Sequence, residues 1–536
     1  MRNISLLITV LVISFLSAAA PVGAITDCAV SLPFTAVTQS FSFDAGRSAA
    51  VSSDALWCRA SLADNTLTVS VTANNGDDSR TATLAVRDGK KPVQFVTVRQ
   101  EARLRFAVIS DTHVGNPCGA GYEIKVTQAL RNLTRRGNLD ALFVVGDLTE
   151  GGAAGQYEEF VEFFGSSDNI LNPVENFFFM MGNHDNYADN AQQNYMDGLK
   201  KFSGNKSYPL HQYAIIKGYP FIALSDLGPA TNDIGNSANA DVSYPPESVA
   251  TLERYLARAA EEAPGKPIFV FTHVPPSWTC YSTWYELENE AWAMKVLNPV
   301  LNKYPQAVVF GGHSHYPLGD PRSIHQGTNP HSPRNNYYTA INTASTTYSE
   351  INPGAVDAGI HPEGWDYVTE GMILEEQPDG GFEIRRYDTY RNVEIHSENR
   401  WVLKAPFDGS MFCYADVRDA DDNPFNRVLR TGLPAPEFLK GAQLSLEPAA
   451  DGVKISFPQA ADDECVFRYN VRVLKGDSVI KNSFIFSQFY LTTDMPRNLS
   501  CTVSELAPGT EYSVEVIALD SYDNPSEPLT ATFTTL

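Results

Sequence analysis

Five apolar runs, each closing on the same few polar residue types, constrain this chain more than any other feature of its sequence. Phe106-Ala107-Val108-Ile109-Ser110 leads into Asp111-Thr112-His113, and Ala141-Leu142-Phe143-Val144-Val145 into Gly146-Asp147. Phe177-Phe178-Phe179-Met180-Met181 leads into Gly182-Asn183-His184-Asp185, Ile268-Phe269-Val270-Phe271-Thr272 ends at His273, and Ala307-Val308-Val309-Phe310 leads into Gly311-Gly312-His313-Ser314-His315. Unbroken apolar runs separated by helix-like segments predict strands covered on both faces. Open α/β sheets bind their ligands at the carboxyl ends of the strands, which is where these polar residues fall.

Two Asp, one Asn and four His gather at those ends. Carboxylate and imidazole without thiolate are the donor set for Mn, Fe, Zn or Ni. One ion takes three or four protein ligands, so seven imply two divalent or trivalent ions sharing a carboxylate, the clamp for displacement at a phosphoryl centre. Any one of these residues alone reads as a turn residue, a helix cap or an ordinary core histidine; the joint, ordered placement carries the chemistry.

The ordered set Asp111-x-His113, Gly146-Asp147, Gly182-Asn183-His184-Asp185, His273 and Gly312-His313-x-His315 resembles the calcineurin-like metallophosphoesterase superfamily over roughly 103–400. The resemblance implies an α/β sandwich of two mixed sheets flanked by helices. It implies one ion held by Asp111, His113, Asp147 and His315, and another by Asp147, Asn183, His273 and His313, with Asp147 bridging. It further implies metal-activated water attacking a phosphate mono- or diester of a small molecule. His184 would protonate the leaving oxygen or stabilise equatorial charge, with Asp185 orienting it. Glu150 stands where purple acid phosphatases carry a tyrosine ligand, a departure that argues against an Fe(III)-tyrosinate site. Arg322 and His325, just past the last ligand loop, are candidates for gripping substrate, with a structural loop as the equal alternative. Cys118 and Cys280 fall on loops expected near the site and are a candidate pair.

On either side the pattern has period two. Leu67, Val69 and Val71 alternate with Thr68, Ser70 and Thr72, and turns follow at 76–78 and 88–91, which predicts a small β-sandwich. The order of Trp57, the segments 71–84 and the closing Val96-Thr97-Val98-Arg99-Gln100 resembles a BACON domain, a family proposed to bind glycan. Near the C-terminus Leu506-Ala507-Pro508-Gly509-Thr510-Glu511-Tyr512 resembles the tyrosine corner of fibronectin type III domains, read as an accessory sandwich without chemistry. The expected fold class is therefore multidomain, a central α/β sandwich between two small all-β sandwiches: 1–24 a signal peptide, 25–102 BACON-like, 103–432 catalytic, 433–536 fibronectin type III-like.

The signal reading rests on Arg2, the apolar run Ile4 to Leu16 and the small residues Val22-Gly23-Ala24. That run is too short to span a bilayer, so no transmembrane span is expected, and the destination is periplasmic, cell-surface or extracellular. Seven cysteines in an oxidising compartment permit pairing within domains, Cys28 with Cys58 and Cys465 with Cys501. With a formal net charge of −23 no basic surface for nucleic acid is expected, so positive charge for an anionic substrate is expected to come from the metals. The alternative from another functional class is a glycan- or surface-binding protein with a vestigial phosphoesterase core.

Overall fold

The computed structural model describes the chain apart from residues 1–22, 25–28, 45–47, 77, 90, 92, 117–120, 229–242, 284–292, 328–335, 352–360, 415–416, 419–426 and 429–433. It forms two compact units, Met1–Arg103 and Leu104–Leu536. Among the described residues no helix is long and apolar enough to cross a membrane.

The first unit is the expected sandwich, two four-stranded sheets. Leu67, Val69 and Val71 point inward against Leu84, Val86, Val96 and Val98, and their polar alternates face outward, as the two-residue side-chain period requires. Gly23–Ala24, at the expected cleavage point, pairs in parallel with Phe41–Ser42, and the rest of the expected export segment lies outside the described residues.

The second unit is built on two sheets. Its strands are Arg105–Ile109 (β1), Ala141–Val145 (β2), Phe177–Met180 (β3), His211–Ile216 (β4), Tyr219–Leu224 (β5), Ile268–Thr272 (β6), Ala307–Gly311 (β7), Ile324–Gln326 (β8), Thr339–Asn342 (β9), Glu370–Glu376 (β10), Phe382–Asp388 (β11), Val393–Ile395 (β12) and Trp401–Leu403 (β13). One sheet runs β3-β2-β1-β10-β11-β12 with β13 also on β11, the other β4-β5-β6-β7-β9-β8. Strands β1 to β3 are mutually parallel, as are β5, β6, β7 and β9, while β10 closes antiparallel on β1. Between the sheets Phe106, Phe143, Phe221, Phe269, Phe271 and Phe310 interlock, Phe143 stacking on Phe271 with centroids 4.0 Å apart. The outer face of the first sheet is covered by helices Tyr122–Thr134 (α1) and Ala154–Gly165 (α2), that of the second by Pro246–Glu262 (α3), whose Leu252, Leu256 and Ala259 form one buried stripe. Burial on both faces is why these strands read as unbroken apolar runs.

The C-terminal sandwich packs a three-stranded sheet, Ser445–Pro448, Val453–Pro458 and Asn498–Val503, on a four-stranded one, Val466–Lys475, Ser478–Phe486, Glu511–Asp520 and Leu529–Thr534. The Tyr512 hydroxyl accepts the Ala507 N–H at 3.0 Å, the corner its sequence predicts. The cysteine pairings fare worse. Cys58, Cys465 and Cys501 are thiols; Cys465 directly precedes the strand Val466–Lys475 of one sheet, and Cys501 lies in the strand Asn498–Val503 of the other. Cys28 and Cys118 lie outside the described residues, and the Cys280 thiol donates to the Ser323 carbonyl at 3.3 Å.

One core carboxylate makes this unit pH-sensitive. Glu370, fully buried at the start of β10, accepts the Leu318 N–H at 2.6 Å, and burial pushes its carboxyl up to about 8, against the pull of that hydrogen bond. An acid whose folded value lies above its unfolded one costs stability once pH exceeds the unfolded value near 4.5, with the cost complete above about 8. Glu370→Gln keeps an acceptor for Leu318 and removes the charge. Its melting temperature is expected to fall less between pH 5.5 and 8.5 than the wild type's. Parallel thermal melts read that difference, worth a few kcal/mol at most, since each tenfold change in proton affinity on folding carries about 1.4 kcal/mol.

Candidate metal centre

The polar residues at the strand ends sit on strained backbone. Asp111 (φ +55°), His113 (+41°), Asp147 (+46°), His313 (+66°) and His315 (+48°) all occupy the left-handed region that non-glycine residues avoid, at roughly 1–3 kcal/mol each. Neighbouring strands hold them there. Asp111 N–H donates to the Gly146 carbonyl (3.1 Å), His113 N–H to that of Asp147 (3.0 Å) and Gly312 N–H to that of His273 (2.9 Å). Two glycines are steric requirements: a Cβ on Gly182 would lie 2.2 Å from Asp147 Oδ1, and one on Gly312 would lie 2.1 Å from Ser110 Oγ.

Two donor groups that share Asp147 result, with ligand atoms within 4.8 Å of one another: Asp111, His113, Asp147 and His315 in the first; Asp147, His273 and His313 in the second; a further group, His113, Glu150 and His184, adjoins the first. In the first, His315 Nε2 lies 3.0 Å from Asp111 Oδ1 and 3.3 Å from His113 Nε2. His113 Nδ1 faces Glu150 Oε2 at 2.8 Å, which places its proton there and turns the Nε2 lone pair into the cluster. In the second, His273 Nδ1 donates to the Val145 carbonyl at 2.8 Å, while Nε2 meets Asn183 Oδ1 at 3.0 Å and Asp147 Oδ2 at 3.1 Å. The Asn183 amide nitrogen donates to the Tyr187 hydroxyl at 3.2 Å, which leaves its oxygen turned toward His273.

Lone pairs thus converge on two points shared by Asp147, an arrangement a cation satisfies at once. Charge tells the same story. Burial would raise Asp147, but His273 and His184 hold it well below the usual carboxylate range. Burial would lower His273, but the charges of Asp147 and Asp111 lift it to about 10, so a proton there balances the same carboxylates a cation would. Burial keeps His113 below its ordinary value despite Glu150, consistent with a neutral imidazole offering a lone pair. The residues present fit a dinuclear metal site.

His184 lies beside this centre, its ring edge-on to His113 at 4.6 Å, its N–H donating to Asp147 Oδ1 at 2.9 Å. Asp185 does not orient it. Both Asp185 oxygens are taken by the Leu148, Thr149 and Gly182 N–H groups and by the Thr149 and Tyr157 hydroxyls, at 2.8–3.0 Å, so it ties the Asp147 loop to its own. Burial and the neighbouring Asp147 charge push its carboxyl up to about 6. The group facing His184 Nδ1 is Glu150, whose carbonyl oxygen is 3.2 Å away and whose carboxylate is 3.7 Å away.

The two expected substrate grips are also corrected. Arg322 is buried, its guanidinium bound to Asp320 at 2.6 Å and packed against the rings of Tyr281 and Phe467. His325 is 2% exposed on β8, opposite Ala340. A guanidinium that is 6% exposed and already paired with a carboxylate is not presented to a phosphate. What the sequence did not signal is an aromatic wall: Tyr348 lies 4.2 Å from the His315 ring and 5.5 Å from that of His113, with Trp365 behind it at 5.4 Å.

Residues 104–317 match the family model described as calcineurin-like phosphoesterase, and residues 47–101 match that of the BACON domain. No curated protein matches in sequence. Among solved structures the chain is similar to purple acid phosphatase PPD1 from yellow lupin (Lupinus luteus) seeds, at 10% identity over 73% of this chain and 76% of that one, with a TM-score of 0.38. PhoD is similar at 10% identity over 63% and 76%, with a TM-score of 0.35. The sixth fibronectin type III domain of human fibronectin type III domain containing protein 3 is similar at 17% identity over 20% and 92%, with a TM-score of 0.14.

Proposed function

With residues 104–317 a calcineurin-like phosphoesterase domain, and the chain accordingly a phosphoester hydrolase, we propose that it cleaves a phosphate mono- or diester of a small molecule at a dinuclear metal centre, outside the cytoplasm. The observation that carries this reading is the pair of donor groups meeting at Asp147. Asp111, His113, Asp147 and His315 would hold one ion, and Asp147, Asn183, His273 and His313 the other. When bound, such ions polarise the phosphoryl oxygens and make water acidic enough to supply hydroxide near neutral pH.

The chain's own residues do the rest. Glu150 fixes the His113 tautomer through Nδ1, and Val145 fixes that of His273. His184, held at Nδ1 by the Glu150 carbonyl, is left with Nε2 to give a proton to the departing oxygen. All the donors named from sequence are present, which argues against a vestigial core. Export is supported by the apolar Ile4–Leu16 segment, and glycan binding by the BACON match at 47–101.

A generic aryl phosphate and a bis-aryl phosphate, assayed with Mn(II) with and without chelator, test the proposal. Turnover of at least one ester that chelator abolishes and Mn(II) restores is expected. No turnover of either, with no bound metal, would sink it.

A further inference from the structure

The C-terminal sandwich reaches the two loops that back the candidate centre. The first follows His315: the Tyr316 hydroxyl donates to Asp320 at 2.8 Å, Asp320 binds Arg322, and the Arg322 guanidinium lies 4.5 Å from the ring centroid of Phe467, a sandwich residue. Phe467 and Tyr490 of the sandwich share one buried cluster with Trp278, Tyr281, Tyr316, Ile351 and Val368 of the catalytic domain. The second loop carries Trp365. The Tyr490 hydroxyl donates to the Glu363 carbonyl at 3.0 Å, and the Gln488 amide to the Glu363 carboxylate at 3.1 Å. From Trp365 contact passes to Tyr348 and from Tyr348 to His315.

Both lines end on His315. The segment that makes the second is itself strained, with Gln488 at φ +64° and the β-branched Thr492 at φ +48°, while Thr492 and Asp494 bind Asp388 and Arg391 of the catalytic domain. Strain of that kind persists where surrounding contacts over-determine it.

We propose that the sandwich is a working part of the catalytic centre, with Phe467 and Tyr490 as positioning residues: Phe467 sets the loop that carries His315, and Tyr490 sets the Tyr348–Trp365 wall beside it. This rests on the function proposed above. A misplacement of about 1 Å at a reacting centre costs up to roughly a hundredfold in rate, so contacts this remote are measurable.

The test uses the full chain with Phe467→Ala, Tyr490→Phe and, as a control for lost stability, Val471→Ala, which cuts the sandwich's own core. Mn(II) affinity of the metal-free protein, kcat and KM are measured well below each melting temperature. Phe467→Ala is expected to weaken Mn(II) binding and kcat/KM by about fivefold or more each. Tyr490→Phe is expected to raise KM by roughly threefold with kcat kept, and Val471→Ala to lower only the melting temperature. Wild-type values in Phe467→Ala overturn the proposal, as do equal losses in Val471→Ala. If Phe467→Ala does not fold, an unchanged KM in Tyr490→Phe overturns it. A wild type that binds Mn(II) yet hydrolyses no ester counts against the proposed function instead, and the Mn(II) affinities still decide this inference.

Discussion

Asp147→Ala is expected to leave the protein folded but unable to keep its metals, with kcat/KM down on the order of 10³-fold or more, the several kcal/mol that metal-ion catalysis supplies. Asp147 is common to both donor groups. Its Oδ2 lies 3.1 Å from His273 Nε2, and its Oδ1 accepts the His184 N–H at 2.9 Å. Alanine removes a ligand from each group and the acceptor that holds His184 in place. Asp147→Asn separates these effects: the amide oxygen still accepts from His184, but the negative charge between two cation positions is gone. Metal content after dialysis should therefore fall in both variants, further in alanine, while wild-type content would show that Asp147 bridges nothing. The fold should survive, because the loop's backbone bonds, such as His113 N–H to the Asp147 carbonyl, do not involve the side chain.

The donor residues were legible for a physical reason. A strand buried on both faces is apolar along its length, so the polar residues that follow it mark the carboxyl edge of the sheet, and Asp111, Asp147, Asn183, His273 and His313 each fall within three residues of a strand's end. The two sandwiches were legible because their strands are buried on one face only and alternate, as 66–71 does.

Misreadings came from treating closeness in sequence as closeness in space. Asp185 follows His184, yet the two lie on a short 3-10 turn, where adjacent side chains diverge, and Asp185 points back to the loop of Asp147. The carboxylate that faces His184 belongs to Glu150, 34 residues upstream. Arg322 follows the last ligand loop by seven residues, but the sandwich covers that side, and Phe467 closes over it. Tyr348 and Trp365 sit in segments with neither apolar period nor motif, and only the fold brings Tyr348 to His315 and Trp365 to Tyr348.

His184→Ala is expected to differ from Asp147→Ala in keeping its metals, while its rate falls by about 10²–10⁴-fold, the usual weight of a positioned general acid. His184 belongs to neither of the two donor groups that meet at Asp147, so metal content should match wild type. The dependence on leaving group then distinguishes its two candidate roles. A nitrophenolate departs with little help from a proton, whereas an alkoxide needs one, so an acid's removal should cost far more with an alkyl ester than with a nitrophenyl ester. Equal loss on both would mean that His184 stabilises charge on the phosphoryl oxygens instead. Glu150→Gln keeps the carbonyl that holds His184 Nδ1 and exchanges the carboxylate facing His113 for an amide. It should therefore weaken metal binding, by about 10–100-fold as for other carboxylates behind ligand histidines, and leave the leaving-group dependence as in wild type. A Glu150→Gln protein that instead reproduced the steep leaving-group dependence of His184→Ala would place the proton's control in the carboxylate rather than in the backbone.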